Sequence, residues 1–177
     1  MFSKKVNENI DLKIITYLET NEFYELIQKN MDHLKKFMPR ISENTSVSDT
    51  ENVLKNFYKQ LYDNNGFRVG IYFNNKLIGV SGLKYIDWIN HSTEIMYWID
   101  KDYSGKGITK LVVDDIVKIS FDILNLNRIV IKVNKHNYPS IRIAEKCNFY
   151  LEGTLIGEEL IDGKYCDTKI YSRVKKI

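Results

Sequence analysis

Ser104-Gly105-Lys106-Gly107-Ile108-Thr109 is the stretch of sequence that decides the fold. It follows a run rich in aromatic and branched residues, Thr93–Ile99, and it opens a stretch whose apolar residues recur at helical spacing as far as Leu124. The pattern therefore predicts a strand, a glycine-bearing loop and a long helix. Gly105 and Gly107 can adopt backbone angles closed to other residues and let a ligand approach the backbone.

The start of this predicted helix would attract an anion. Its first N–H groups have no partner within the helix, and the helix dipole adds partial positive charge there. A diphosphate fits such a position. Lys106 and Lys110 can add charge at the rim, and the hydroxyls of Ser104 and Thr109 can donate hydrogen bonds. An ordinary strand-to-helix turn, with glycines for tightness, is the alternative.

The familiar phosphate motifs do not fit this stretch. A P-loop is excluded because no Gly-Lys-Ser or Gly-Lys-Thr follows a glycine at the required spacing. A dinucleotide-binding loop needs a third glycine, and position 110 is occupied by Lys110. The stretch by itself therefore predicts an anion site without identifying the anion.

Helices and strands are predicted on both sides of the loop. Before it, two helices precede two strands that the short turn Asn74-Asn75 joins into a hairpin. The predicted elements are, in order, an edge strand near Leu12–Tyr17, helices Thr20–Phe37 and Asp49–Tyr62 (the second capped by Ser46 or Ser48), strands Phe67–Phe73, Lys76–Tyr85 and Thr93–Ile99, a helix from Ile108 to Leu124, a strand Arg128–Val133, a helix Tyr138–Lys146, and strands Tyr150–Ile156 and Lys164–Arg173.

This order of elements predicts an α/β (α+β) protein with a mixed, mostly antiparallel central sheet flanked by helices. The connection from Ile99 through the long helix to Arg128 is a crossover, which places a ligand crevice at the carboxyl end of the first strand. We find no linker or repeat, so residues 1–177 are expected to form a single domain.

Composition restricts the function in only a few ways. The net charge of +3 is too small and too evenly spread to indicate a nucleic-acid partner. No window approaches the roughly 18 apolar residues of a membrane span. The first residues lack the apolar core of a signal peptide, so we expect a cytoplasmic location.

Cysteine and histidine residues form no evident chemical constellation. Cys147 and Cys166 match no metal-ligand spacing, and we expect Cys147 to pack on its helix rather than act as a nucleophile. His33, His91 and His136 suggest neither a metal site nor a triad. No metal is therefore predicted.

The wider pattern resembles the GCN5-related N-acetyltransferase (GNAT) superfamily, and within it the branch that acetylates the N-terminal alanine or serine of ribosomal proteins. The likeness runs through essentially the whole chain. The residues that carry it are Glu94-Ile95-Met96-Tyr97-Trp98-Ile99 with Tyr103–Ile108, Leu126-Asn127-Arg128-Ile129, Asn137-Tyr138-Pro139-Ser140 continuing to Phe149, and Asp162-Gly163-Lys164-Tyr165 with Asp167 and Tyr171-Ser172.

The resemblance implies the acyl-CoA N-acyltransferase (GNAT) fold with acetyl-CoA as cofactor. In that family the strand matching Met96–Ile99 splays from its neighbour, and its backbone, here that of Trp98 and Ile99, pairs with the pantetheine arm. The loop Ser104–Thr109 matches the pyrophosphate site. Asn137 matches a position that contacts the cofactor arm, and Ser140 lies where it can meet the thiol.

Three positions depart from the family pattern. Ser104 stands where Gln or Arg is usual, and Thr109 where Ala or Gly is usual. Most pyrophosphate contacts come from backbone N–H groups, so both changes are expected to weaken binding without abolishing it. Asn148 replaces a common glycine before Phe149, and asparagine tolerates the left-handed backbone angles that this turn needs.

The implied reaction is direct attack of an amine on the thioester. The amine must first lose a proton, which is easier for an α-amine with a pKa of about 8 than for lysine at about 10.4. Glu94 is the leading candidate for the general base, against the alternative of a solvent-facing strand residue; Glu158 and Glu159 compete for the role. A backbone N–H near Trp98 or Ile99 would stabilise the oxyanion, and Ser140 is either the general acid or a helix cap.

The resemblance therefore predicts an N-acetyltransferase that acts on a protein N-terminus, such as that of a ribosomal protein, or on a small-molecule amine. A non-catalytic CoA-binding or sensing module is the alternative, and a nucleotide-binding protein is a third. Members of the family often form homodimers, so a homodimer is expected here as well. No nucleic acid or membrane partner is predicted.

Overall fold

The computed structural model describes residues 3–38, 41 and 46–175. Four α-helices and eight β-strands make up the regular structure of these residues. The helices are α1 (Thr20–Leu34), α2 (Val47–Tyr62), α3 (Ile108–Lys118) and α4 (Tyr138–Lys146). The strands are β1 (Ser3–Lys5), β2 (Ile10–Lys13), β3 (Phe67–Phe73), β4 (Lys76–Asp87), β5 (Ser92–Ile99), β6 (Arg128–Asn134), β7 (Tyr150–Ile161) and β8 (Lys164–Val174).

Within the described residues the strands form one sheet in the order β1-β2-β3-β4-β5-β6-β8-β7. Neighbours are antiparallel except β5 and β6, which run parallel because α3 crosses over between them. The sheet is therefore mixed and mostly antiparallel, as the sequence predicts.

Hydrophobic side chains cover both faces of the sheet. On one face, Val112 and Ile116 of α3 are buried with Ile95 and Ile131 of the strands. On the other face, α1 and α2 contribute a second cluster that includes Trp98 of β5. Helices thus flank the sheet on both sides, and apolar burial at about 25 cal/mol per Å² holds the layers together.

Local turn chemistry follows the predictions closely. Asn74 and Asn75 both have positive φ, 48° and 65°, as a two-residue hairpin turn requires. The Oγ of Ser46 accepts a hydrogen bond from the Asp49 N–H at 3.1 Å, which selects Ser46 over Ser48 as the cap of α2. Asn148 adopts a φ of 59°, so it replaces glycine in a left-handed turn.

Several predicted boundaries are wrong, among them the end of α1, which is Leu34 rather than Phe37. The predicted edge strand near Leu12–Tyr17 corresponds to β2, Ile10–Lys13, and the edge of the sheet is β1, which was not predicted. Strand β2 ends early because the chain turns at Thr16, whose N–H donates to the Glu19 carboxylate at 2.6 Å. The crossover helix changes to a π-helix at Ile119–Ile123, where the Ser120 hydroxyl donates to the Ile116 carbonyl at 2.8 Å. The last hairpin is longer than predicted.

The extra length of this hairpin lies in β7, which continues to Ile161. A bulge between Leu155 and Glu159, containing Gly157 at a φ of 63°, bends β7 without ending its pairing with β8. Glu158 and Glu159 therefore lie within a strand. No helix in the described part of the chain is long and apolar enough to cross a membrane.

Candidate active site

The sheet opens between β5 and β6. The two strands pair only at Ser92–Arg128, Thr93–Ile129 and Glu94–Val130, although β5 continues to Ile99. Past this point β6 remains paired with β8, and β5 remains paired with β4. The splay predicted for β5 is therefore present, and it forms one side of a cleft of about 450 Å³.

The backbone of β5 supplies hydrogen-bonding groups to this opening. The Asp100 N–H donates to the Ile78 carbonyl at 2.7 Å, and strand pairing aligns Trp98 with Val80. Backbone direction alternates along an antiparallel strand, so Trp98 directs its N–H and C=O towards β4. Tyr97 and Ile99 direct theirs into the gap. The sequence analysis named the backbone groups of Trp98 and Ile99. In the structure those of Ile99 face the gap together with those of Tyr97, whereas those of Trp98 face β4.

The loop Ser104–Thr109 lies beside the opening. Gly105 and Gly107 have φ angles of 78° and 80°, and a methyl group added to either would meet nothing within 4 Å. Their identity is therefore set by backbone angle, and the space in front of them is open. Ser104, Gly105, Gly107, Ile108 and Thr109 line the cleft.

The first turn of α3 presents unpaired donors at the same place. Gly107 precedes the helix without a side-chain cap, and the first helical bond joins the Leu111 N–H to the Gly107 carbonyl. The N–H groups of Ile108, Thr109 and Lys110 have no partner among the described residues. Together with the helix dipole they form an anion site.

The two lysines of the loop occupy different positions. Lys110 lines the cleft, and its Nζ pairs with Asp114 at 2.6 Å. Lys106 lies outside the lining, with its Nζ 5.0 Å from the centre of the Tyr103 ring. Lys106 can therefore contribute charge only from the rim.

Helix α4 brings Asn137 and Ser140 to the cleft. The Asn137 Oδ1 accepts the Ser140 N–H at 3.2 Å, so Asn137 caps the helix. This leaves the Ser140 hydroxyl without a partner among the described residues, and both side chains line the cleft. The Tyr97 hydroxyl donates to the Ser140 carbonyl at 3.2 Å. Burial raises the pKa of Tyr97, which keeps this hydroxyl protonated.

The three candidate carboxylates differ in their surroundings. The Glu94 side chain is only 5% exposed and forms an ion pair with Lys84, so it is not a solvent-facing strand residue. Glu158 pairs with Lys132 at 3.0 Å. Of the three, Glu159 lines the cleft, where its Oε2 lies 3.4 Å from the Asn134 Nδ2.

The cleft has two sides. The glycine loop, α3 and α4 lie on one face of the sheet, since Ile141 of α4 packs with the α3 cluster. The opposite side, which we call the α1-side wall, contains Lys84, Met96, Lys132, Asn134 and Glu159, with His33 and Phe37 at the end of α1. Met96 packs against the α1 cluster, and Lys132 and Asn134 alternate with Ile131 and Val133, which face α3.

The sequence did not identify Lys84 and Asn134 as site residues. Asn134 carried a usable signal, because it is a polar residue at the carboxyl end of a predicted buried strand. Lys84 carried none, since an exposed-looking lysine near a strand end is ordinary. Among the aromatic residues near the splayed strand and the end of α1, Phe37, Tyr97 and Trp98 line the cleft, whereas Tyr85 and Trp88 do not.

The structure also bears on the cysteine after α4 and on possible metal ligands. Cys147 is fully buried after α4, and burial raises the pKa of its thiol to about 12, so the thiolate is scarce at neutral pH. Among the described residues, no group of three or more His, Cys, Asp or Glu could hold a metal ion.

Known proteins share this fold and sequence pattern. The family model for the acetyltransferase (GNAT) domain matches residues 12–150. A Bacillus subtilis protein provisionally named ribosomal N-acetyltransferase YdaF is 32% identical over 99% of this chain and 97% of its own. The Escherichia coli ribosomal-protein-serine acetyltransferase is 27% identical over 96% of this chain and 95% of its own.

A solved structure of an acetyltransferase has the same fold as this chain. The microcin C7 self-immunity acetyltransferase MccE, in complex with acetyl-CoA and AMP, superposes with a TM-score of 0.91 at 28% identity, covering 97% of this chain and 95% of its own. The chain therefore belongs to the GNAT family of acetyl-CoA-dependent N-acetyltransferases.

Proposed function

We propose that this chain transfers the acetyl group of acetyl-CoA to the N-terminal amine of a protein, with ribosomal proteins as the first class to test. The observation that carries the proposal is the opening between β5 and β6 with an anion site at its end. The names of the Bacillus subtilis and Escherichia coli relatives support the ribosomal acceptor. We further propose that residues 1–177 act as one domain in the cytoplasm, as a homodimer.

The residues of the cleft fit acetyl-CoA. The free backbone groups of Tyr97 and Ile99 can pair with the amides of the pantetheine arm, as an added strand would. The N–H groups of the first α3 turn and Lys110 would hold the pyrophosphate. The Asn137 amide nitrogen is available to the arm, because its oxygen caps α4. Bound acetyl-CoA supplies the acetyl thioester that the amine attacks.

We propose Glu159 rather than Glu94 as the base that accepts the amine proton. Glu159 lines the cleft on the α1-side wall, and its neighbour Asn134 can hold it in place. Glu94 is buried and does not line the cleft, and its carboxylate pairs with Lys84, which does. A base must reach the proton it abstracts directly or through one water, which favours Glu159.

We propose Ser140 as the proton donor to the thiolate leaving group. Its hydroxyl is free because Asn137 performs the capping role. The Tyr97 hydroxyl holds the Ser140 carbonyl and thereby fixes the first turn of α4 against β5. The Ile99 N–H, directed into the gap, can donate to a carbonyl oxygen placed between these residues.

The acid–base assignment is tested by Glu159→Gln and Ser140→Ala. Each should lower kcat by roughly 10²- to 10⁴-fold, the usual contribution of a positioned acid or base, while the Kd for acetyl-CoA stays the same. Glu51→Gln is the matched control, since Glu51 is an exposed carboxylate on α2 that pairs with Lys55 outside the cleft.

Glu94→Gln separates the two candidate bases. If Glu94→Gln removes the rise of kcat/KM with pH and Glu159→Gln leaves it intact, Glu94 is the base and our assignment is wrong. Binding of acetyl-CoA without turnover on any amine would instead favour a CoA-binding module.

A further inference from the structure

The charges that line the cleft are mostly positive. Of the described residues in the lining, five are Lys or Arg and one, Glu159, carries a carboxylate. Lys110, Arg142 and Lys146 belong to α3 and α4 and can serve an anionic cofactor. Lys84 and Lys132 lie on the α1-side wall, away from the anion site of the glycine loop, and the cofactor leaves them without an assigned role.

Each of these lysines forms an ion pair with a carboxylate that does not line the cleft. Lys84 is 45% exposed and pairs with the buried Glu94, and Lys132 pairs with Glu158. An ammonium group has three donors, and both lysines line the cleft, so a single ion pair leaves donors available to a molecule bound there. Each pair therefore fixes the lysine in place and still presents a donor to a bound molecule.

This arrangement disfavours a polyamine as the acceptor. A polyamine needs several carboxylates around its ammonium groups, and the α1-side wall offers Glu159 beside two lysines. Like charges brought together in a cleft cost several kcal/mol. The same lysines would lower the pKa of a bound acceptor amine and so favour its neutral, nucleophilic form.

The spacing of the two lysines favours a peptide. Lys84 is on β4 and Lys132 is on β6, with β5 between them. Adjacent strands are about 4.8 Å apart, so two strand spacings separate these residues by roughly 10 Å or more where the sheet splays. Each ammonium group can therefore pair with a different carboxylate of the acceptor. Two acidic side chains near the start of a peptide would provide such carboxylates.

We propose that Lys84 and Lys132 select acceptors whose free N-terminus is followed closely by acidic residues. This inference rests on the proposed function, because it names the acceptor class of the same site. The N-terminal amine lies near Glu159, and the acidic side chains that follow it pair with the two lysines. Glu94 and Glu158 act as positioning residues for those lysines.

The test compares kcat/KM for three peptides of equal length and for spermidine at low ionic strength. The peptides begin Ser-Asp-Glu, Ser-Asn-Gln and Ser-Lys-Lys. The wild-type protein should prefer the acidic peptide to the amide peptide by about 10-fold, which corresponds to about 1.4 kcal/mol. It should use the basic peptide and spermidine least, and added salt should reduce the preference.

Lys132→Met and Lys84→Met should each reduce the preference for the acidic peptide several-fold and leave the KM for acetyl-CoA unchanged. Lys84→Met leaves the buried Glu94 without its cationic partner. The double variant Lys84→Met/Glu94→Gln is therefore measured beside it, and thermal melting checks that both variants fold. Lys59→Met is the matched control, because it removes an exposed lysine on α2 whose ion pair, with Asp63, lies outside the cleft.

Two results would overturn the inference. Equal kcat/KM for the acidic and amide peptides, or a higher value for spermidine, would show that the lysines do not select the acceptor, while the proposed acetyl transfer would stand. A preference that Lys132→Met and the double variant leave intact would assign selection to other residues. If no amine is acetylated at all, the proposed function fails and this inference fails with it.

Discussion

Gly105 and Gly107 show how single residues create the anion site. A Cβ atom at either position would meet no other atom within 4 Å, and both residues have φ angles near 80°. A left-handed angle costs other residues roughly 1–2 kcal/mol. Glycine is therefore required by the shape of the loop, which keeps the unpaired N–H groups of α3 facing open space.

Gly107→Glu should weaken acetyl-CoA binding by at least about 10-fold, because it combines backbone strain with a negative charge beside the anion site. Isothermal titration measures the change. Gly163→Glu is the matched control, since Gly163 has a φ of 74°, an equally open surrounding and a place in the β7–β8 turn. The site assignment would be wrong if Gly107→Glu bound acetyl-CoA as tightly as Gly163→Glu does.

The location of the cleft residues was easier to predict from the sequence than the role of each residue. Asn137 and Ser140 do lie together at its wall, but their division of roles depended on whose side chain caps α4. Glu94 was the leading candidate for the base, and in the structure it lies within β5, at the last pair that β5 forms with β6. Its burial and its ion pair with Lys84, a partner ten residues earlier, could not be read from either residue alone.

At the scale of elements, helix α1 holds the segment that leads into the glycine loop. The Lys29 Nζ contacts Asp100 at 2.6 Å and Asp102 at 2.5 Å, and the Asn30 Oδ1 accepts the Lys101 N–H at 2.9 Å. The Asp100 side chain is fully buried, and the two carboxylates raise the pKa of Lys29. The end of the same helix contributes His33 and Leu34 to the cleft.

Lys29→Met should therefore raise the Kd for acetyl-CoA several-fold, because the segment before the loop loses its tether. Asp102→Asn removes one contact without stranding the buried Asp100, and it should give a smaller change in the same direction. Lys35→Met removes an exposed ion pair with Asp32 on the same helix and should leave the Kd unchanged. Equal effects of Lys29→Met and Lys35→Met would contradict the tether.

Element types were predicted from the sequence more accurately than element lengths. Strand β3 and helix α4 have the predicted bounds, since turn residues and the Pro139 start signal mark their ends. Strand β7 is longer than predicted, because Gly157 produces a bulge where the sequence suggests a stop. Glu159, the proposed base, follows this bulge and therefore lies in the part of β7 that was not predicted to be a strand.

For the whole molecule, the central feature is a sheet that is open in its middle. The crossover through α3 makes β5 and β6 parallel, and their short pairing leaves a passage between the two hydrophobic layers. In the proposed function, acetyl-CoA binds on the α3 side and the acceptor on the α1 side, so the two substrates would meet across the sheet. The order of elements predicted the crossover, whereas the splay came only from the family resemblance.

Acetyl transfer to a peptide is the most direct test of this account. The protein is incubated with acetyl-CoA and a peptide with a free N-terminal serine, and the peptide mass and the released thiol are followed together. We predict that the peptide gains one acetyl group at its N-terminus for each thiol released, and that Gly107→Glu slows both equally. Tight binding of acetyl-CoA without acetylation of any acidic, neutral or basic peptide would contradict the account.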